Sequence, residues 1–193
     1  MATKKKPETS INNDSIGSID TLDKHWHLAQ TDTEIAIAEL ESTLYRVYAA
    51  FERWTCDCAA AAANIPLSGT ENSVLHVIRM KERPKSISEI SRLLNRDDIP
   101  NLQYAIRKLL SANLIEKHRG NKKKGICYKT TEQGMQVTDN YAKIRKSLLM
   151  PLIESVSNWE NQSDSTCRTL DLIKGMYDSA ALTVSQHRKH LED

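Results

Sequence analysis

The sequence predicts a mainly α-helical chain with one small β-hairpin. Three observations carry this. Stretches near each end space their apolar residues in steps of three and four. Capping signatures punctuate the middle, and one pair of β-rich runs is bracketed by Gly120 and Gly125. Only 6 Gly and 5 Pro occur in 193 residues, too few turn formers for an all-β sandwich. No apolar run approaches the ~20 residues that span a bilayer, and Lys4-Lys5-Lys6-Pro7 is followed by no apolar signal-peptide core. Four cysteines without framework spacing suit a reducing compartment, so a cytoplasmic location is expected.

Residues 1–28 are polar, without sustained apolar periodicity, and read as a flexible N-terminal arm with Trp26 as a packing anchor. At Thr31 the pattern changes. Thr31-Asp32-Thr33-Glu34 has capping-box form, and Ile37, Leu40, Leu44, Val47, Phe51, Trp54, Cys58 and Ala61 follow in unbroken helical steps. Asn64 and Pro66 end this helix of about 30 residues, roughly 45 Å long. So long a stripe calls for a second chain as cover; an intramolecular core is the alternative. Residues 29–66 are therefore expected to be a dimerisation helix, with Ile37, Leu40 and Leu44 in the contact.

Residues 67–132 hold shorter elements. Ser68-Gly69-Thr70-Glu71 caps a helix with Val74, Leu75 and Ile78 inward, and Pro84 closes that region. Ser86-Ile87-Ser88-Glu89 caps a second helix burying Ile87, Ile90, Leu93 and Leu94, which ends near Asn95. Asp97 or Asp98 caps a third, with Pro100 in its first turn, where a missing N–H costs nothing. Its inner face is Leu102, Ala105, Ile106, Leu109 and Leu110, and Asn113 suits the left-handed position beyond its end. Strands over 114–119 and 126–131 then flank Asn121-Lys122-Lys123-Lys124.

Residues 133–193 return to long helices. Val137, Tyr141, Ile144, Leu148 and Leu152 share one side, and Pro151 should bend the helix near Ser147 or Leu148. After Asn161-Gln162-Ser163-Asp164 a last helix is expected to begin, with Leu170, Ile173 and Tyr177 at its centre as further dimerisation residues.

The formal charge of +2 hides an asymmetry. Residues 79–129 hold fourteen basic and five acidic side chains, while the rest holds thirteen basic and twenty acidic. A basic centre between acidic flanks suits a module that meets a polyanion. Short helix, tight turn, second helix is the helix-turn-helix layout, and the outer face of its second helix carries Asn101, Gln103, Tyr104, Arg107, Lys108 and Ser111. Asn and Gln pair with adenine edges, Arg with guanine, and Tyr and Lys with phosphate. A hairpin tipped by Lys122, Lys123 and Lys124 has no core to serve and is a wing, with Arg119 at its base. Asn101, Gln103, Tyr104 and Arg107 are expected at bases. Lys108, Arg119 and the three tip lysines are expected at phosphate or minor groove, and Arg92 and Arg96 at the backbone.

Residues 31–192 resemble the MarR-type winged-helix transcriptional regulators. Leu109-Leu110-Ser111-Ala112-Asn113-Leu114-Ile115 is similar to the family's leucine-x-x-x-glycine-leucine-valine/isoleucine motif. Thr131-Glu132-Gln133-Gly134 is similar to its threonine-glutamate-x-glycine start of the post-wing helix. The resemblance implies a homodimer built from terminal helices, whose two lobes read a pseudo-palindromic operator. Asn113 replaces the usual glycine, the wing's usual aspartate-x-arginine is absent, and the N-terminal arm is longer than the family core requires.

Other chemistry finds no support in the sequence. Cys56 and Cys58 point to different faces of one helix, so the pair is a poor zinc site, and Cys58 falls on the apolar stripe. Some relatives sense oxidants through cysteine, which leaves Cys56, Cys127 and Cys167 as thiol candidates. No P-loop, GxGxxG, GxSxG or HExxH pattern occurs, so no catalytic residue, metal or cofactor is expected. A winged helix used only for protein interaction is the alternative function, and an effector-responsive regulator is an elaboration of the first.

Overall fold

The structure, a computed structural model, describes residues 24–119 and 125–189. Two compact units divide the chain, Met1–Asp57 and Cys58–Asp193. In the first, Lys24 pairs with Glu39 at 3.0 Å, and Trp26 and Ala29 exchange backbone hydrogen bonds. The expected Thr31 capping box forms. The Glu34 backbone amide donates to Thr31 Oγ1 at 3.3 Å, while Glu34 Oε2 accepts from the amides of Gln30 and Thr31. These donors hold the Glu34 carboxyl below the ordinary carboxylate value. Helix α1 (Asp32–Ala63) follows for 32 residues and ends at Asn64, in the left-handed region at φ 55°.

The second unit contains the end of α1 and then α2 (Gly69–Arg79), β1 (Lys85–Ser86), α3 (Ile87–Leu94) and α4 (Ile99–Ser111). Strands β2 (Ile115–Arg119) and β3 (Ile126–Thr130) lead to α5 (Glu132–Ile144), α6 (Met150–Glu154) and α7 (Trp159–Lys189). The strands form one antiparallel sheet in the order β1-β3-β2, with Lys117 opposite Tyr128 and Arg119 opposite Ile126. The pair Lys85–Ser86 completes it as a short edge strand opposite Tyr128 and Cys127, an element the periodicity does not reveal. Val74, Leu75, Ile78, Ile90, Leu102, Ala105, Ile106, Leu109, Leu114 and Ile115 form the core, each at most 2% exposed.

At the end of α1, Cys58, Ala59 and Ala62 are buried and Ala61 is exposed, so the apolar stripe turns by one residue there. Cys58 donates weakly to the Tyr141 carbonyl at 3.9 Å, and burial pushes its thiol pKa up. Leu93, expected inside, is 38% exposed. On so short a helix Ile87, Ile90 and Leu94 lie within about 60° of one another, and Leu93 falls on the far shoulder. The bend expected at Pro151 appears as a π-helical segment, Arg145–Leu149, between α5 and α6. Pro151 offers no N–H and crowds the Ser147 carbonyl, so the hydrogen-bond ladder changes step. The last helix begins at Trp159, earlier than the polar run suggests. Asn158 turns the chain at φ 58° and accepts from the Asn161 side chain, so polar residues stand in the first turn.

The most demanding contact lies between the wing and α5. Thr131 Oγ1 donates to the Asn113 carbonyl at 2.6 Å and accepts from the Gly134 amide at 3.0 Å. The Thr131 amide donates to the Leu114 carbonyl at 3.1 Å. A Cβ on Gly134 would lie 1.9 Å from that carbonyl oxygen. The glycine of the Thr131–Gly134 motif is thus required by a close backbone approach. Asn113 itself sits at φ 57°, in the left-handed region expected of it.

Two stability predictions follow from these contacts. Gly134→Ala forces α5 away from Leu114 and should cost about 3 kcal/mol or more, read as a lower urea midpoint at constant slope. His76, ring to ring with Tyr141 at 4.4 Å, is held by burial below the ordinary histidine value of 6.5. The unfolded chain therefore takes up this proton first. Stability should fall as pH drops below that value, until the folded-state pKa is passed. The loss in melting temperature between about pH 7 and about pH 5 should be smaller in His76→Phe.

Candidate nucleic-acid interface

Helix α4 presents Asn101, Gln103, Tyr104, Arg107 and Lys108 on its exposed face, while Leu102, Ala105, Ile106 and Leu109 face inward. Tyr104, a large aromatic, is 51% exposed. Among the described residues, no side-chain hydrogen bond or ion pair engages Gln103, Arg107 or the exposed Arg92 on α3. Arg119 ends β2, exposed, at the last described residue before the tip. Lys122, Lys123 and Lys124 lie outside the described residues.

The turn before α4 is built by side chains. Asn95 caps α3 from the left-handed region at φ 50°. The Arg96 amide donates to the Ser91 carbonyl at 3.0 Å, and Ser91 Oγ donates back to the Arg96 carbonyl at 2.6 Å. The Arg96 guanidinium, a side chain expected at the DNA backbone, donates to Asp98 Oδ1 and to Thr70 Oγ1, both at 2.9 Å. Asp98 stands at the N-cap of α4, yet its carboxylate does not cap the helix amides. It is spent on Arg96 and on the Asn101 side chain, and the Arg96 hydrogen bond holds it below the ordinary carboxylate value.

Lys108 is also engaged. Its ammonium lies 3.1 Å from Glu71 Oε1 and 5.2 Å from the centre of the Tyr104 ring. Glu71 is 3% exposed and completes the capping box of α2, accepting from the Ser68 amide at 3.0 Å. Its hydrogen bond and charge raise the Lys108 pKa above the ordinary lysine value. Thr70 and Glu71 are thus functional neighbours that sequence reasoning missed. The signal was present in part: a capping box occupies one carboxylate oxygen and leaves the other free.

Helix, turn, exposed second helix and antiparallel hairpin now stand in order. This is a winged helix-turn-helix. Residues 67–134 match the family model described as winged helix DNA-binding domain. No curated protein sequence matches the chain. Among solved structures, the transcriptional regulator BldR from Sulfolobus solfataricus is similar at 18% identity and TM-score 0.59, the match covering 74% of this chain and 99% of that one. A MarR family transcription regulator aligns at 15% identity and TM-score 0.57, covering 87% and 98%. The M. tuberculosis transcriptional regulator MosR, solved in complex with DNA, aligns at 13% and TM-score 0.55, covering 70% and 96%.

The dimerisation candidates occupy the long helices. Ile37 is 37% exposed and Leu40 and Leu44 are half-buried, whereas Tyr45, Val47, Tyr48 and Phe51 are each at least 58% exposed. On α7, Leu170 and Tyr177 are 37% and 41% exposed and Ile173 is half-buried. Cys127 is buried in the sheet, Cys56 is half-buried and Cys167 is exposed. Among the described residues no cluster of ligating side chains forms a metal site, and no helix is long and apolar enough to cross a membrane.

The winged helix generates a local prediction. Arg96→Met releases the α4 N-terminus from Thr70 and Asp98. The amides of Asn101 and Leu102, which donate to the Asp98 carbonyl at 3.0 and 3.2 Å, should then exchange roughly tenfold faster, with the Ala112 amide at the far end unchanged.

Proposed function

We propose that the chain is a homodimeric transcriptional regulator that binds duplex DNA, reading a pseudo-palindromic operator through α4 and the wing. The observation that carries this is the outer face of α4. Gln103 and Arg107 stand exposed, beside Asn101 and Tyr104, on a helix whose opposite face and preceding turn are fixed. These are the side-chain types that pair with base edges, and the helix has the position of a recognition helix in the layout. That MosR and S. aureus MepR, of similar fold, are solved with DNA supports the reading.

Bases are assigned to Asn101, Gln103, Tyr104 and Arg107. Phosphate or minor-groove contact is assigned to Arg92, Arg119, Lys122, Lys123 and Lys124. Arg96 and Lys108 are assigned to positioning, because their charges are already engaged. Dimerisation is assigned to α1 and α7. The exposed Tyr45, Tyr48 and Phe51 of α1 and Leu172, Met176 and Val184 of α7 are large apolar groups for which a second chain is the simplest cover. The regulator is non-enzymatic and requires no cofactor. A cytoplasmic location suits its free cysteines, Cys56, Cys58, Cys127 and Cys167.

Selection from random duplexes tests the reading, since a dimeric helix-turn-helix should recover half-sites about one helical turn apart. Replacing Lys122, Lys123 and Lys124 with Ala should weaken binding to all duplexes and flatten the salt slope by up to about 3. Gln103→Ala should instead change preference at one or two base pairs, by ~1–3 kcal/mol. Recovery of no sequence, with no salt-sensitive duplex binding, would replace this reading with a protein-interaction module.

A further inference from the structure

We propose that Glu71 sets the discrimination of the reading face, by holding Lys108 away from the phosphate backbone. This deepens the DNA-binding reading and rests on it. Lys108 belongs to the same exposed ridge of α4 as Asn101 and Tyr104, so an unattached ammonium there would meet any duplex that docked. It is not unattached. Glu71 Oε1 lies 3.1 Å away and the Tyr104 ring centre 5.2 Å away, on either side of a half-exposed lysine.

Glu71 is suited to this because it cannot move aside. Its side chain is 4% exposed, and both ends are fixed by the capping box: Oε2 accepts from the Ser68 amide at 3.0 Å, and its own amide donates to Ser68 Oγ at 3.2 Å. A surface carboxylate would swing away when a phosphate approached. A carboxylate fixed in a helix cap remains opposite the ammonium, so phosphate must compete with it. Binding through phosphate is blind to sequence. Withholding one cation from it lowers affinity for every duplex and leaves the contacts to base edges as a larger share of the total. The same pair holds the Lys108 ammonium over the Tyr104 ring, so Glu71 also bears on an aromatic assigned to bases.

The test uses the full chain, with the duplex recovered by selection and a scrambled duplex of equal length, each titrated across a KCl series. Glu71→Gln keeps an oxygen for the Ser68 amide, so the cap survives while the charge is removed. It should bind the scrambled duplex several-fold more tightly, with a salt slope steeper by about 0.9, and narrow the ratio between the two duplexes. The double variant Glu71→Gln/Lys108→Met should behave as Lys108→Met alone. NMR titration of the Lys108 ammonium should show its pKa falling toward the ordinary lysine value in Glu71→Gln, with the urea midpoint reporting an intact fold. An unchanged slope on the scrambled duplex overturns the proposal, as does a change that persists in the Lys108→Met background. A wild-type chain that binds neither duplex overturns the DNA-binding reading itself, a failure visible before any variant is made.

Discussion

The second unit depends on one buried cation. Lys85 is fully buried, and its ammonium donates to the carbonyls of Ile78 at 3.2 Å, Met80, and Arg83 at 3.1 Å. These carbonyls belong to the end of α2 and the turn after it, which no further helical turn satisfies. The turn is unusual. Lys81 and Glu82 both sit in the left-handed region, at φ 59° and 48°, and neither is glycine. Lys85 gathers the carbonyls that this conformation leaves pointing inward. The same residue begins β1, pairs with Tyr128 in the wing and precedes the Ser86 cap of α3. Helix end, sheet edge and helix-turn-helix thus meet on one side chain. Burial pushes its pKa down, which shows that desolvation opposes the charge even with three carbonyls around it.

From that junction α4 is positioned at both ends by adjacent residues. Thr70 reaches its start through Arg96 and Asp98, and Glu71 reaches its last turns through Lys108. Both lie in the first turn of α2, whose body packs against α4. Side chains that build the turn are therefore occupied, while Gln103 and Arg107 are left exposed for a partner. Rigid placement of the helix with uncommitted tips is what base recognition requires.

Most of the architecture was legible in the sequence because it rests on local rules. The capping boxes at Thr31 and Ser68, the left-handed Asn113 and the π-helical segment before Pro151 each follow from residues within a few positions. Long-range commitments were not legible. Leu93 is exposed because of which shoulder of α3 faces the core. Lys85 is buried because carbonyls seven and five residues earlier need a donor. Arg96 and Lys108 meet Thr70 and Glu71 across 26 and 37 positions, which no periodicity encodes. The Gly134 motif lies between these cases. Its form was readable, but its cause, a backbone approach to Leu114, exists only in three dimensions.

The charge asymmetry acquires a different meaning from these contacts. Of the fourteen basic residues between 79 and 129, Arg79, Arg83, Arg96, Lys108 and Lys129 pair with carboxylates, and Lys85 is enclosed by carbonyls. The partners are largely the acidic residues of the same stretch, with Glu71 and Asp139 recruited from outside it. Six of the fourteen cations are thus engaged within the fold. A count along the sequence cannot separate cations that bind the fold from cations that face a partner. Pairing geometry can, and it leaves Arg92 on α3 and Arg107 on α4 as exposed guanidinium groups on consecutive helices of the helix-turn-helix. Two such groups on neighbouring helices give the unit a directional positive face, and direction is what would steer a polyanion into register.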